Sequence, residues 1–234
     1  MWDHDHLTGE YRGAAHSKCN LKCRNDGYNV DFFFHNGKGY DYHHVLNTVG
    51  ELSKEMNLKI NCIPMNSEKY MSFTLMGRLE NNDKFCITFK DTMQFMPCSL
   101  DKLVETLTDS EFKFPYMNAI FGENAKMLTR KGVFPYDWYN SQDKDLCTSL
   151  PSKEKFFSKL SGQHITQKDY LFAKSVWNQM GCKQFRDYMN VYLKTDVMLL
   201  VDVLESFRDM CLDPKTGYGL DPCHYFTSPG MALH

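Results

Sequence analysis

Two carboxylates stand at positions where chemistry could happen. Asp196 closes the run Tyr192-Leu193-Lys194-Thr195-Asp196, one helical turn beyond Tyr192. Phe185, Tyr188, Tyr192, Leu199, Leu200, Val203 and Phe207 recur at the spacing of one helix face, which puts Asp196 on the apolar side. A carboxylate facing a core is unfavourable unless it is paired, hydrogen-bonded or bound to a cation. Two readings are therefore open: a metal-binding group, or a rim aspartate turned to solvent or to a neighbouring loop. Asp41 is the second, in Asn36-x-x-x-Tyr40-Asp41. That spacing sets an amide and a carboxylate at the carboxyl end of a strand, where open α/β sheets place their sites. An Asp there also serves simply to cap the helix that follows. A third group is metal-like in type. Six of the nine histidines fall within the first 44 residues, and Cys19 and Cys23 stand beside them.

The elements that must hold these residues can be read from periodicity. Residues 1–27 are polar and rich in Gly, His and Asp, without an apolar rhythm, and read as loops. Val30–Phe34 reads as a buried strand ending in the turn His35–Gly39. Tyr42, Val45, Leu46, Val49, Leu52 and Met56 then give an amphipathic helix from Asp41 to Met56. Strands follow near 58–63, 70–79 and 85–89, the last two joined by Asn81-Asn82-Asp83 as an antiparallel hairpin. Ser99 reads as the N-cap of a helix to Leu107. Pro115, Pro135 and Pro151 predict irregular chain over 108–152. Thr166 and Asp169 open a helix with Tyr170, Ala173, Trp177 and Met180 on one face, ended by Gly181. A long helix then runs from Lys183 to Cys211. Strands first and helices last predict a mixed sheet with helices packed on it.

Composition bounds the function. The 234 residues carry 27 Lys and Arg against 29 Asp and Glu, so a wholesale polycation is excluded and any nucleic-acid contact is local. No apolar run approaches a membrane span, and the N-terminus is not a signal peptide. Nine scattered cysteines in a chain without a secretory signal read as reduced thiols in an intracellular protein.

Taken in order, four motifs resemble the 3′→5′ exonuclease domain of protein-primed family B DNA polymerases, nearest to those of Polinton/Maverick-type transposons and related viruses. They are Phe34-His35-Asn36 through Tyr40-Asp41, then Ser99-Leu100-Asp101-Lys102-Leu103, Lys131-Gly132-Val133-Phe134, and Tyr192 through Asp196. The C-terminal Gly219-Leu220-Asp221-Pro222 and Tyr225 through Gly230 resemble the segment leading into that family's palm. The resemblance implies an α/β, ribonuclease-H-like fold, a mixed sheet with flanking helices. Asp41 and Asp196 would be two of four carboxylates holding Mg²⁺ (or Mn²⁺), Tyr192 would orient the attacking water, and Lys131 would support the scissile phosphate. Asn36, Ser99 and Leu100 would bind a single-stranded 3′ end of primer-template DNA. A terminal protein would be the primer, and no membrane partner is expected.

The first Asp-x-Glu motif of that family is not found before Asn36, and the polymerase motifs are absent. The expectation is therefore a window displaced within a longer polymerase, its exonuclease fold incomplete at the N-terminal edge. The divisions expected are a partial zinc segment at 1–27, an exonuclease-like domain at 28–212, and the start of the palm connection at 213–234. The N-terminal block Asp3-His4-Asp5-His6 through His16-x-x-Cys19-Asn20 is similar to the His-Asn-His fold of recombination endonuclease VII. By that likeness His16 and Cys19 would be half of a structural Zn²⁺ site, with Asp3, His4 and Asn20 the remnant of an endonuclease centre. Such a site closes at four ligands, so the zinc set is incomplete. Two other functions are weighed beside the polymerase: a catalytically inactive single-stranded DNA-binding module, and a His-Asn-His endonuclease. Location follows the resemblance, nuclear first and mitochondrial second, and the N-terminus has no transit-peptide character.

Overall fold

The computed structural model describes the backbone of residues 2–4, 11–14, 27–66, 69–80, 82–110 and 113–233, with side chains from residue 28 onward. The expected metal residues His16 and Cys19, and Asn20, lie outside the described residues. Asp3 and His4 belong to β1 (Trp2–His4), which pairs antiparallel with β2 (Tyr11–Ala14). A short strand pair thus stands where loops were expected, because main-chain pairing needs no apolar rhythm in the sequence.

The chain divides into two compact units, Met1–Met96 with Cys223–His234, and Pro97–Pro222. They part at 96/97, within the stretch read from sequence as one exonuclease-like domain, and at 222/223, within the stretch read as the start of the palm connection. The architecture is mixed α/β.

In the first unit a four-stranded sheet has the order β3-β6-β5-β4, made of β3 (Gly27–Phe34), β6 (Lys84–Asp91), β5 (Tyr70–Arg78) and β4 (Lys59–Pro64). β4, β5 and β6 form an antiparallel meander, while β3 runs parallel to β6. The helix α1 (Asp41–Glu55) makes the crossover from β3. Side-chain alternation gives the sheet two different faces. On one, Phe73 stacks on Phe89 at 4.3 Å and Phe32 on Phe89 at 5.4 Å, and Tyr42 of α1 meets Phe73 edge-on at 5.1 Å. On the other, the buried Lys90 ammonium pairs with Asp31 at 2.8 Å and donates to the Cys223 carbonyl. Phe33 and Phe226 cover that ammonium. One charge pair thereby fastens the C-terminal segment, including α7 (Ser228–Ala232), to the sheet.

The second unit is helical. Ser99 caps α2 (Leu100–Thr108), accepting from the Lys102 amide. The stretch expected to be irregular contains α3 (Pro115–Phe121) and α4 (Ala125–Leu128). Pro115 starts α3 rather than breaking it, since the first helical position has no intrahelical amide bond to lose. Thr166 caps α5 (Gln167–Gln179), and Gly181 at φ 63° turns the chain out of it. A capping box between Gln184 and Asp187 opens α6 (Phe185–Leu212), 28 residues or about 42 Å long. Phe185, Tyr188, Tyr192, Leu199 and Val203 of its apolar face are all buried. Phe134, Trp138 and Tyr139 gather their rings around Phe185.

Candidate functional site

In the first unit the site begins where β3 stops. Its last residue, Phe34, is in register with Asp91 at the end of β6, so both strands deliver their ends to one place. The chain then turns through Asn36 in the left-handed region, φ 66°, and one 3-10 turn over Gly37–Gly39. A Cβ on Gly37 would sit 2.6 Å from the Tyr42 ring and 2.7 Å from the Phe34 Cβ. Glycine is therefore required there for the turn to close against the core. Asn36 leaves its side chain exposed while its amide donates to the Asp91 carboxylate at 2.8 Å. Asp41 is the first residue of α1, and the cap position is taken by Tyr40 without a side-chain hydrogen bond. Capping is thus not what Asp41 does. Among the described residues its half-buried carboxylate has no hydrogen bond or ion pair, and it sits in the first helical turn, where the helix dipole favours a negative charge.

In the second unit Lys131 through Phe134 run against α6, although about sixty residues separate them from it in sequence. A Cβ on Gly132 would lie 2.5 Å from Tyr192 Cδ2, so the backbone rests directly on the phenol ring. The Tyr188 hydroxyl donates to the Val133 carbonyl, and Phe134 packs on Tyr192 with ring centres 5.0 Å apart. The Tyr192 hydroxyl is bonded to that of Tyr136. Burial first, then that hydrogen bond and the nearby Asp196 charge, push the Tyr192 phenol well above its ordinary range. It is a neutral hydroxyl at physiological pH, suited to orienting a water or an oxygen rather than to taking a proton. Lys131 is exposed beside it, and Arg130 is clamped by Asp169 at 2.8 Å and stacks on Phe172.

Behind this junction lies a cavity of about 10 Å³, lined by Arg130, Gly132, Phe172, Tyr188, Tyr192 and Thr195 among others. That is room for one water molecule and no substrate. The buried Thr195 hydroxyl has no partner there. Asp196 itself is half-buried on α6.

Of the residues expected from sequence, Asn36 and Asp41 therefore share one turn, and the Lys131 segment meets Tyr192. Ser99 spends its hydroxyl on capping α2, and Leu100 is half-buried in that helix's first turn. Three contributors were not foreseen. Asp91 and Thr92 hold the Asn36 turn, and Tyr136 supplies the partner of Tyr192. An Asp-Thr pair ending a strand was the available signal for the first two. Tyr136, five residues beyond Lys131, gave none. Among the described residues no three or more His, Cys, Asp or Glu gather as a metal site. Asp41 and Asp196 contribute one carboxylate to each unit, fewer oxygens than a Mg²⁺ pair requires.

The first unit thus sets Asn36 and Asp41 at the carboxyl edge of a mixed sheet, and the second sets the Lys131 segment against the Tyr192–Asp196 stretch of α6. The model of the family "DNA polymerase type B, organellar and viral" matches residues 22–233, and the chain belongs to that family. DNA is accordingly its partner and DNA-directed DNA synthesis its family's activity. No curated protein and no solved structure matches the chain.

Proposed function

We propose that residues 28–212 are the ribonuclease-H-like 3′→5′ exonuclease region of a protein-primed type B polymerase, receiving a single-stranded 3′ end. The observation that carries this is the seating of Lys131–Phe134 on Tyr192. Two motifs that the resemblance orders separately along the chain meet as one surface. In this reading Asn36 binds the strand, Lys131 faces the scissile phosphate, and Tyr192 offers a neutral hydroxyl to the attacking water. Asp41 and Asp196 are two of the four carboxylates for Mg²⁺, the ion that activates water and stabilises the leaving oxygen when bound. With only Asp41 and Asp196 of that set found among the described residues, the reading is a chain that by itself binds single strands without efficient turnover.

The test uses the purified chain and a 3′-labelled oligonucleotide in Mg²⁺. Salt-dependent binding is expected, weakened about tenfold by Asn36→Ala, the loss of one good hydrogen bond to a charged group. Absence of single-strand binding overturns the reading. Robust cleavage that disappears in Asp196→Ala would show that further carboxylates reach the site from elsewhere in this chain.

A further inference from the structure

The Asn36 turn is held by a carboxylate that no motif includes. Asp91 is 1% exposed, and Oδ1 accepts from the amides of Asn36 at 2.8 Å and Met93 at 3.0 Å. Oδ2 accepts from the Lys38 amide at 3.2 Å. All three bonds go to main-chain N–H groups. An ion held in this way fixes the direction of the peptides around it, because each amide must aim at one of two oxygens. The grip matters most at Asn36, whose backbone is in the left-handed region that, after glycine, asparagine adopts most readily. The neighbouring Thr92 ties the other side, donating to the Phe34 carbonyl at 2.9 Å and bonding to the His35 ring at 2.8 Å. The outcome is a turn whose backbone is fixed from below while the Asn36 side chain faces outward.

We infer that Asp91 is the positioning residue for strand binding at Asn36. It acts through main-chain amides and does not touch DNA: a buried carboxylate set against a phosphate would repel it. The ligand it prepares for is a single-stranded phosphodiester end, so this inference rests on the function proposed above.

Binding of a fluorescein-labelled oligothymidylate, followed by anisotropy at fixed salt, separates the two. Asp91→Asn keeps the shape but presents a donor in place of one acceptor, so the amides can no longer all be satisfied. It is expected to weaken binding about fivefold, and Asn36→Ala about tenfold. The double variant should bind no worse than Asn36→Ala alone, since both act through one group. Leu75→Ala, in the core of the same unit (Leu75 is 6% exposed), should lower the melting temperature yet keep affinity within about twofold. Wild-type affinity in Asp91→Asn, a fully multiplicative loss in the double variant, or an equal loss in Leu75→Ala overturns the inference alone. No binding by the wild-type chain overturns the single-strand reading and the inference with it. Should Asp91→Asn not fold, amide shifts in the wild-type chain decide. Asn36 and Lys38 must move together on titration with the oligonucleotide, and stationary resonances overturn the inference.

Discussion

Asp202 is the carboxylate that α6 buries completely, and it lies six residues past the one the sequence pointed to. Its two oxygens accept from the amides of Tyr116 at 3.1 Å and Met117 at 2.9 Å, first-turn donors of α3 that have no partner within the helix. Burial raises its carboxyl above the ordinary range, with the two amide bonds pulling the other way. The anion is therefore stabilised by a helix end instead of by a cation. Asp202→Ala leaves both amides without a partner while relieving the burial of a charge. A net loss of about 2 kcal/mol in urea unfolding is expected, less than two charged hydrogen bonds would give alone. An unchanged urea midpoint would refute this role.

At the scale of elements, the contact between the Lys131 segment and α6 depends on a missing side chain. Gly132→Ala would drive a methyl carbon to 2.5 Å from the Tyr192 ring, which is only 8% exposed. The segment must lift or the ring must swing, with the Tyr136 bond lost in either case. A destabilisation of about 1–3 kcal/mol is expected, with weaker single-strand binding measured on the same sample. Retained stability and retained affinity together would mean that the segment does not need to lie on the ring. The caps show the same economy of local chemistry. Ser99, Thr166 and the Gln184–Asp187 box start their helices where such residues generally do, and this is why their starts were legible within one or two residues.

Across the whole molecule, charge bookkeeping sets the response to acid. Hydrogen bonds from Tyr139, Ser152, Thr166, the Gln184 amide and Thr216 are the leading reasons that Asp145, Glu154, Asp169, Asp187 and Asp213 are held below their ordinary range. Each releases its proton more readily folded than unfolded. Their contribution is present above roughly pH 4, the unfolded carboxylate value, and is lost as pH falls through the depressed folded values. Asp202 has the opposite sign, binding its proton more tightly in the folded chain. With five groups against one, the second unit should melt at progressively lower temperature between pH 5 and pH 3 (about the carboxylate range). Thr166→Val, which removes the first support of Asp169, should flatten that slope. A melting temperature independent of pH over this range would contradict the assignment.

The legibility of the fold follows from the range of the forces involved. The strands, the crossover helix and the long α6 announce themselves through contacts between residues two to four apart. The helices over 115–128 did not, because prolines were read as breaks where one of them is a start. Asn36, Asp41, Tyr192 and Asp196 were visible as an ordered set of motifs, and Lys131 with them. Their partners were not: Asp91, Tyr136 and Asp202 carry no local pattern and take their roles from neighbours 55, 56 and 85 residues away.

By itself the sequence determined the four strands of the main sheet, the crossover helix and the long α6, the order of the motifs, and so the polymerase family to which the chain belongs. Caps, periodicity and motif order are local properties and survive in the text of the chain. Only the tertiary structure decided which carboxylate of α6 is buried. Asp196 and Asp202 both lie near the apolar stripe, and the difference is that the amino end of α3 packs over one of them. It also decided that Asp41 is not spent on a cap, and that the Asn36 turn rests on Asp91. Those outcomes depend on which elements meet, and a single charged group has its energy set by whatever lies within a few ångströms of it.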